Sequence, residues 1–220
     1  MRQLFLATRN AHKTREFAEI LGGEFQVSDL SEVQNIPEIK ETGLTFAENA
    51  IAKAVNVSRA VVNLVVGEDS GLEVDALGGA PGILSARYAG ERATARDNIN
   101  KLLRALAGTS PARTRRLARF RCVLALARGG KLLGTFEGLI DGIIVDAARG
   151  TNGFGYDPVF VPNGFDQTFG ELPAELKNRI SHRAQAIRAL RARLPAIMAW
   201  QAGVEGRGAD RPERPEPPPL

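Results

Sequence analysis

Short apolar runs alternating with amphipathic stretches set the rhythm of this chain. Residues 2–7, with the apolar run Leu4-Phe5-Leu6-Ala7, read as a first buried strand. Asn10 then suits a helix N-cap, and residues 11–21 place Phe17, Ile20 and Leu21 on one face at helical spacing until Gly22-Gly23 ends the pattern. A second helix is predicted over 45–62, where Thr45 as N-cap and Glu48 three residues later form the pairing of a capping box. The run Asn63-Leu64-Val65-Val66 reads as a buried strand, and 93–106 as a third helix with Ile99, Leu102, Leu103 and Leu106 on its apolar side. Two strand-like runs follow, 118–127 and 132–144, joined by Arg128-Gly129-Gly130-Lys131, whose glycine pair is a hairpin signal. Residues 158–161 predict a further short strand and 175–194 a final long helix.

Helices and antiparallel hairpins fall in separate blocks. The expected fold is therefore α/β, with a mixed central sheet flanked by helices and two lobes around an active-site cleft. One domain of two lobes is expected over 1–202. Residues 203–220 carry Pro212, Pro215, Pro217, Pro218 and Pro219 with many charges, and predict a disordered tail.

Composition narrows the class without naming a function. At 44% hydrophobic and 25% charged, the 220 residues resemble an ordinary soluble domain, and no apolar run approaches the roughly 18 residues a membrane helix needs. The N-terminus does not read as a signal peptide. With Cys122 the single cysteine, set in an apolar strand-like stretch, a cytoplasmic protein without disulfides is expected. The net charge of +4 could suggest nucleic acid, but the arginines cluster in Arg113, Arg115 and Arg116, in Arg188, Arg191 and Arg193, and in the tail, without interleaved aromatics. They read as solvated faces, so neither nucleic acid nor membrane is the expected partner. A modest positive field would still favour an anionic substrate.

The candidate chemistry begins at Glu68-Asp69-Ser70-Gly71. If the strand over 63–66 ends there, two adjacent carboxylates emerge at its C-terminal end, where open α/β sheets keep their ligand sites. Such oxygens suit a hard divalent cation that bridges to phosphate, although an Asp before a Gly is also ordinary turn chemistry. Upstream, strand, polar turn and helix start form an anion-site geometry, with Lys13 adding a full charge in the first turn.

The run E-D-S-G-L-x-V-D-A-L-G-G-A-P-G-x-x-S-A-R-Y resembles the signature of the inosine triphosphate pyrophosphatase family, which removes non-standard purine nucleotides. Four more blocks agree in order and spacing: Thr8-Arg9-Asn10-Ala11-His12-Lys13, residues 41–50, Thr151-Asn152-Gly153-Phe154-Gly155-Tyr156-Asp157-Pro158, and Ser181-His182-Arg183. The resemblance covers about residues 1–200. It implies Mg2+-dependent hydrolysis of ITP, dITP and XTP to the monophosphate and pyrophosphate, by a homodimer.

What the resemblance implies for the site divides by task. Asp69 would be metal ligand and general base, with Glu41 and Glu68 as further ligands, although relatives usually have Asp at position 68. Lys13, Lys53 and Lys177 would clamp the triphosphate, helped by Thr8, Asn10 and Ser70, within a substrate segment that also includes Arg9, Ala11 and His12. Phe154, Gly155, Tyr156, Asp157, His182 and Arg183 would read the base. Donors such as the Arg183 guanidinium would favour a keto oxygen at purine C6 over an amino group. Two other readings stand beside this one. A related Maf-like pyrophosphatase group would act on other modified or pyrimidine nucleotides, and a non-catalytic nucleotide or RNA-binding module would lack the carboxylates that are present here.

Overall fold

The computed structural model describes residues 2–33, 36, 37, 39–107 and 116–205, with side chains to residue 199. A six-stranded sheet runs in the order β2-β1-β3-β4-β5-β6. Its strands are β1 (Arg2–Leu6), β2 (Phe25–Asp29), β3 (Leu64–Val74), β4 (Leu117–Arg128), β5 (Lys131–Ile144) and β6 (Phe160–Pro162). β1 pairs in parallel with β2 and β3, and all later pairings are antiparallel. The mixed sheet expected from the blocks is thus observed. The β4–β5 turn is the Gly129-Gly130 pair, both at positive φ, as a tight hairpin requires.

Strand alternation assigns the two faces. On one, Leu64, Val66, Cys122, Leu124 and Leu126 pack with Phe17 and Leu21 of α1 (Ala11–Leu21) and Ala186, Ile187 and Leu190 of α5 (His182–Glu205). On the other, Val123, Ala125 and Ala127 pack on Phe46, Ala50 and Ala54 of α2 (Phe46–Val57). A further cluster joins Leu72, Phe120, Phe160 and Phe169 to Ile99, Leu102 and Leu106 of α3 (Ala95–Ala107). Cys122 is fully buried, as its apolar neighbours suggest.

Helix α1 has the predicted bounds, with the Asn10 side chain accepting from the His12 amide at 3.0 Å. α2 carries the complete Thr45/Glu48 capping box but ends at Val57, well short of residue 62. Three other elements differ from expectation. β2 is an additional strand, recruited by parallel pairing along the whole of β1. The run from residue 63 does not end at 66, because β4 pairs with β3 as far as Val74. The expected helix over 175–194 is two helices, α4 (Ala174–Ile180) and α5, separated by Ser181 in an extended conformation whose hydroxyl accepts from the Ala184 amide at 3.2 Å. A serine at that position competes for the backbone and caps a new helix start.

α5 continues to Glu205, past the expected boundary at 202. Residues 206–220 of the predicted tail, with Arg113 and Arg115, lie outside the described residues. On α5, Arg188 donates to the Arg179 carbonyl at 2.8 Å and Arg191 pairs with Glu24. No described helix is long and apolar enough to cross a membrane.

Candidate active site

The last rung between β1 and β3 is the Ala7 amide on the Val66 carbonyl, at 2.8 Å. Beyond it β3 keeps β4 as partner while its other edge opens onto a cleft of about 540 Å³. Every predicted site residue except Ala11 and Glu68 lines that cleft. The turn after β1 and the start of α1 deliver Thr8, Arg9, Asn10, His12 and Lys13, α2 delivers Lys53, β3 delivers Asp69 and Ser70, and the loop before β6 delivers residues 154–157. α4 contributes Lys177, and the start of α5 contributes His182 and Arg183.

Glu68 and Asp69 are adjacent in sequence but serve opposite faces of the sheet. On the α2 face, the Asp69 carboxylate accepts from Asn49 Nδ2 at 3.0 Å and Lys53 Nζ at 3.3 Å. Asn49 and Lys53 stand one helical turn apart, so a single face of α2 presents both. Lys53 also donates to the Glu68 carbonyl at 2.9 Å and pairs with Glu41, whose second oxygen is 3.0 Å from Arg87 Nη1. Burial pushes the Asp69 carboxyl above its ordinary value even though Lys53 and Asn49 pull the other way. Burial likewise acts to raise Glu41, but Lys53 and Arg87 outweigh it and hold this carboxyl low.

On the α1/α5 face, Glu68 Oε1 accepts from Arg183 Nε at 3.0 Å and Nη2 at 2.7 Å, and Lys13 Nζ is 3.4 Å from Oε2. Burial opposes the Glu68 charge, yet these cations hold its carboxyl far below the usual range. The expectation that Glu68 and Asp69 together grip one cation is therefore corrected. A strand turns successive side chains to opposite faces, and Glu68 is spent on anchoring Arg183. Arg183, only 1% exposed, also donates to Ser70 Oγ at 3.0 Å and Glu16 Oε2 at 2.6 Å.

Glu16 extends this buried network. Its Oε1 lies 2.7 Å from Lys177 Nζ, which lies 2.6 Å from Asp157 Oδ2, which accepts from the Phe154 amide at 2.7 Å. Burial would raise Glu16, but Arg183 and Lys177 bring it below its ordinary value. Burial prevails at Asp157 and raises it. Lys177, expected to clamp triphosphate, instead has its ammonium between two carboxylates and 4.9 Å from the Phe154 ring centre. It therefore braces the loop that carries Phe154 and Asp157. Gly153 sits at φ +71, and a Cβ there would come within 2.0 Å of the Asp157 carboxylate, so only glycine allows this turn.

His182 is buried and stacks on Phe120, with centroids 4.7 Å apart and planes 10° apart. Burial, reinforced by Arg183 and Lys177, lowers its pKa well below the ordinary value and keeps the imidazole neutral. Its Nδ1 is buried without a hydrogen-bond partner. The start of α5 approaches β5 closely at Gly138, where a Cβ would lie 2.0 Å from the His182 carbonyl oxygen. Tyr156 is less a stacking surface than a brace. Its ring is buried in the third cluster, and its hydroxyl donates to the Ser85 carbonyl at 2.9 Å. Arg9 turns its guanidinium away to the Leu30 and Ile36 carbonyls, at 3.0 and 2.9 Å.

Glu16 and Phe120 were not singled out from sequence, and Ser85 and Arg87 stood in the signature run without a role of their own. Glu16 had one local signal, its three-residue spacing from Lys13 along α1. The others depend on partners remote in sequence.

A cleft with lysines and a helix start at one end, aromatic and buried polar groups at the other, and an acidic pair between them defines a nucleotide-handling α/β protein. The chain belongs to the Ham1 family, whose model matches residues 4–193. It is 47% identical to the dITP/XTP pyrophosphatase of Bacillus licheniformis over 88% of this chain and 98% of that protein. It is also 47% identical to the dITP/XTP pyrophosphatase of Bacillus subtilis, over 86% and 96%. Among solved structures, the Ham1 protein of Staphylococcus aureus superposes with a TM-score of 0.77 at 41% identity, covering 88% of this chain and 98% of that one. The HAM1 protein of Coxiella burnetii does so with 0.79 at 39%, covering 89% and 99%.

Proposed function

We propose that this chain hydrolyses non-standard purine nucleoside triphosphates, ITP, dITP and XTP, to the monophosphate and pyrophosphate. The observation that carries the reading is the convergence of Lys13, Asp69, Phe154 and His182 on one cleft, so that a single nucleotide can touch phosphate-binding and base-reading groups together. The dITP/XTP pyrophosphatase names of the relatives support the same conclusion.

The start of α1 has no acidic residue in its first turn, and its free amides with Lys13 suit phosphate oxygens. Lys53 spends its ammonium on the Glu68 carbonyl, Asp69 and Glu41, so its charge balances the carboxylates rather than reaching out for phosphate. Asp69, raised by burial, is the group to orient and deprotonate the attacking water. Asp69 and Glu41 already share one cation, the Lys53 ammonium, and their hard oxygens fit Mg2+ in the same neighbourhood. Among the described residues no cluster of three or more His, Cys, Asp or Glu is present, so phosphate and water would complete the coordination. Bound there, Mg2+ would neutralise phosphate charge and acidify a water.

At the base end, the Phe154 ring offers a stacking face. Arg183 spends one Nε, one Nη1 and two Nη2 donors on Glu68, Glu16 and Ser70, which leaves one of its five N–H groups for a keto oxygen. An adenine amino group would leave that donor and the buried His182 edge unsatisfied, at about 1 to 3 kcal/mol per orphan. Pyrophosphate release from ITP, XTP, ATP and GTP with Mg2+ tests the reading, and equal rates on ATP and ITP would refute the base-end argument. The homodimer that the family resemblance implies belongs to the same proposal and is measured by light scattering.

A further inference from the structure

The His12 and Phe154 rings stack across the cleft, with centroids 5.4 Å apart and planes 18° apart. They come from opposite walls, His12 from the first turn of α1 and Phe154 from the loop before β6. Phosphate binding does not account for this contact, because backbone amides and Lys13 would do that work, while the His12 ring is drawn to the base-reading loop.

The two rings differ in freedom. Phe154 is fixed by its amide on Asp157, and it stands 4.9 Å from Lys177 Nζ and 5.3 Å from Arg183 Cζ, both of which are locked onto buried carboxylates. His12 is exposed, and only its backbone is held, by the Asn10 cap. If a ligand enters the stack, the imidazole is the side that yields.

We propose that His12 is the second wall of the base site, so that a purine slides between the imidazole and the phenyl ring. The inference rests on the nucleotide reading above and assigns a residue of the phosphate-binding segment to base selection. Two stacking contacts of roughly 3.5 Å need a ring separation of about 7 Å, which an outward swing of the exposed His12 side chain provides. The bicyclic base then exchanges one aromatic contact for two.

The test measures KM and kcat for ITP and XTP, and the inhibition constant of inorganic tripolyphosphate, in wild-type protein, His12→Ala and His12→Phe. Loss of one base–aromatic stack predicts that His12→Ala raises KM about tenfold with kcat within about twofold, while tripolyphosphate inhibits as before. His12→Phe restores KM. An unchanged or lowered KM in His12→Ala would overturn the proposal, as would no restoration by Phe. Weakening of tripolyphosphate by the same factor as ITP would place His12 at the phosphates and overturn it too. Wild-type protein inactive on every purine triphosphate would instead remove the nucleotide reading, and this proposal with it.

Discussion

Arg183 and Glu68 stand 115 residues apart in sequence and meet at 2.7 Å in the interior behind the cleft. Neither charge is tolerable there alone, since an isolated buried ion loses its hydration without return. Glu68→Gln leaves Arg183 with Glu16 as its remaining carboxylate. The expected outcome is a loss of about 3 to 5 kcal/mol, read as a lower midpoint in urea or heat. A variant as stable as wild type would show that the pair contributes little.

Asp69 accepts hydrogen bonds from Asn49 and Lys53 and stands at the open edge of β3. Asp69→Asn keeps the shape and removes the base. Pyrophosphate release should fall by about 10² to 10⁴-fold, the usual contribution of a positioned general base, with an unchanged far-ultraviolet spectrum. Activity within a few-fold of wild type would take Asp69 out of the mechanism.

His182 is one of only two histidines in the chain, which makes its ring resonances assignable. Its folded pKa is lowered, so the unfolded chain binds a proton near pH 6.5 that the folded chain refuses. Stability is therefore expected to fall as pH drops below about 6.5 towards the folded value. The depressed carboxylates of Glu16, Glu41 and Glu68 act in the same direction lower down. Their contribution is complete above the unfolded value near 4.3 and is lost as pH falls through the folded ones. Asp69 and Asp157, raised by burial, oppose this trend. Histidine NMR and thermal melts between pH 7.5 and 5 check the assignment. A His182 ring that titrates near 6.5 would contradict it.

Gly138 does not line the cleft, yet it sets how closely the start of α5 approaches β5. Gly138→Ala places a methyl group against the His182 carbonyl and the Ala186 amide, 2.0 and 2.6 Å away, and both are backbone. Overpacking of this kind costs about 1 to 3 kcal/mol. Because His182 and Arg183 must shift with the helix, KM for ITP should rise as well. Wild-type stability and KM together would mean that α5 has room to move.

Much of the fold was legible because the signals were local. Asn10 caps α1, Thr45 and Glu48 box α2, and Gly129-Gly130 turns the β4–β5 hairpin, each through chemistry contained within a few residues. β2 was missed because pairing with β1, rather than its own short pattern, makes it a strand. The break at Ser181 was missed because apolar spacing carries across it, while the capping hydroxyl decides the backbone.

The cleft's membership followed from the resemblance carried by five sequence blocks in order and spacing, while charge and shape by themselves only made the residues' tasks plausible. Their pairings followed from neither. Sequence adjacency suggested Glu68 and Asp69 as one cation site, whereas the pleat of β3 sends the first to Arg183 and the second to Lys53. Lys177 read as a phosphate clamp until Glu16 and Asp157, distant along the chain, were seen to hold it. A side chain's identity carries its charge and reach, but the direction it points and the partner that meets it are properties of packing, which one dimension does not contain.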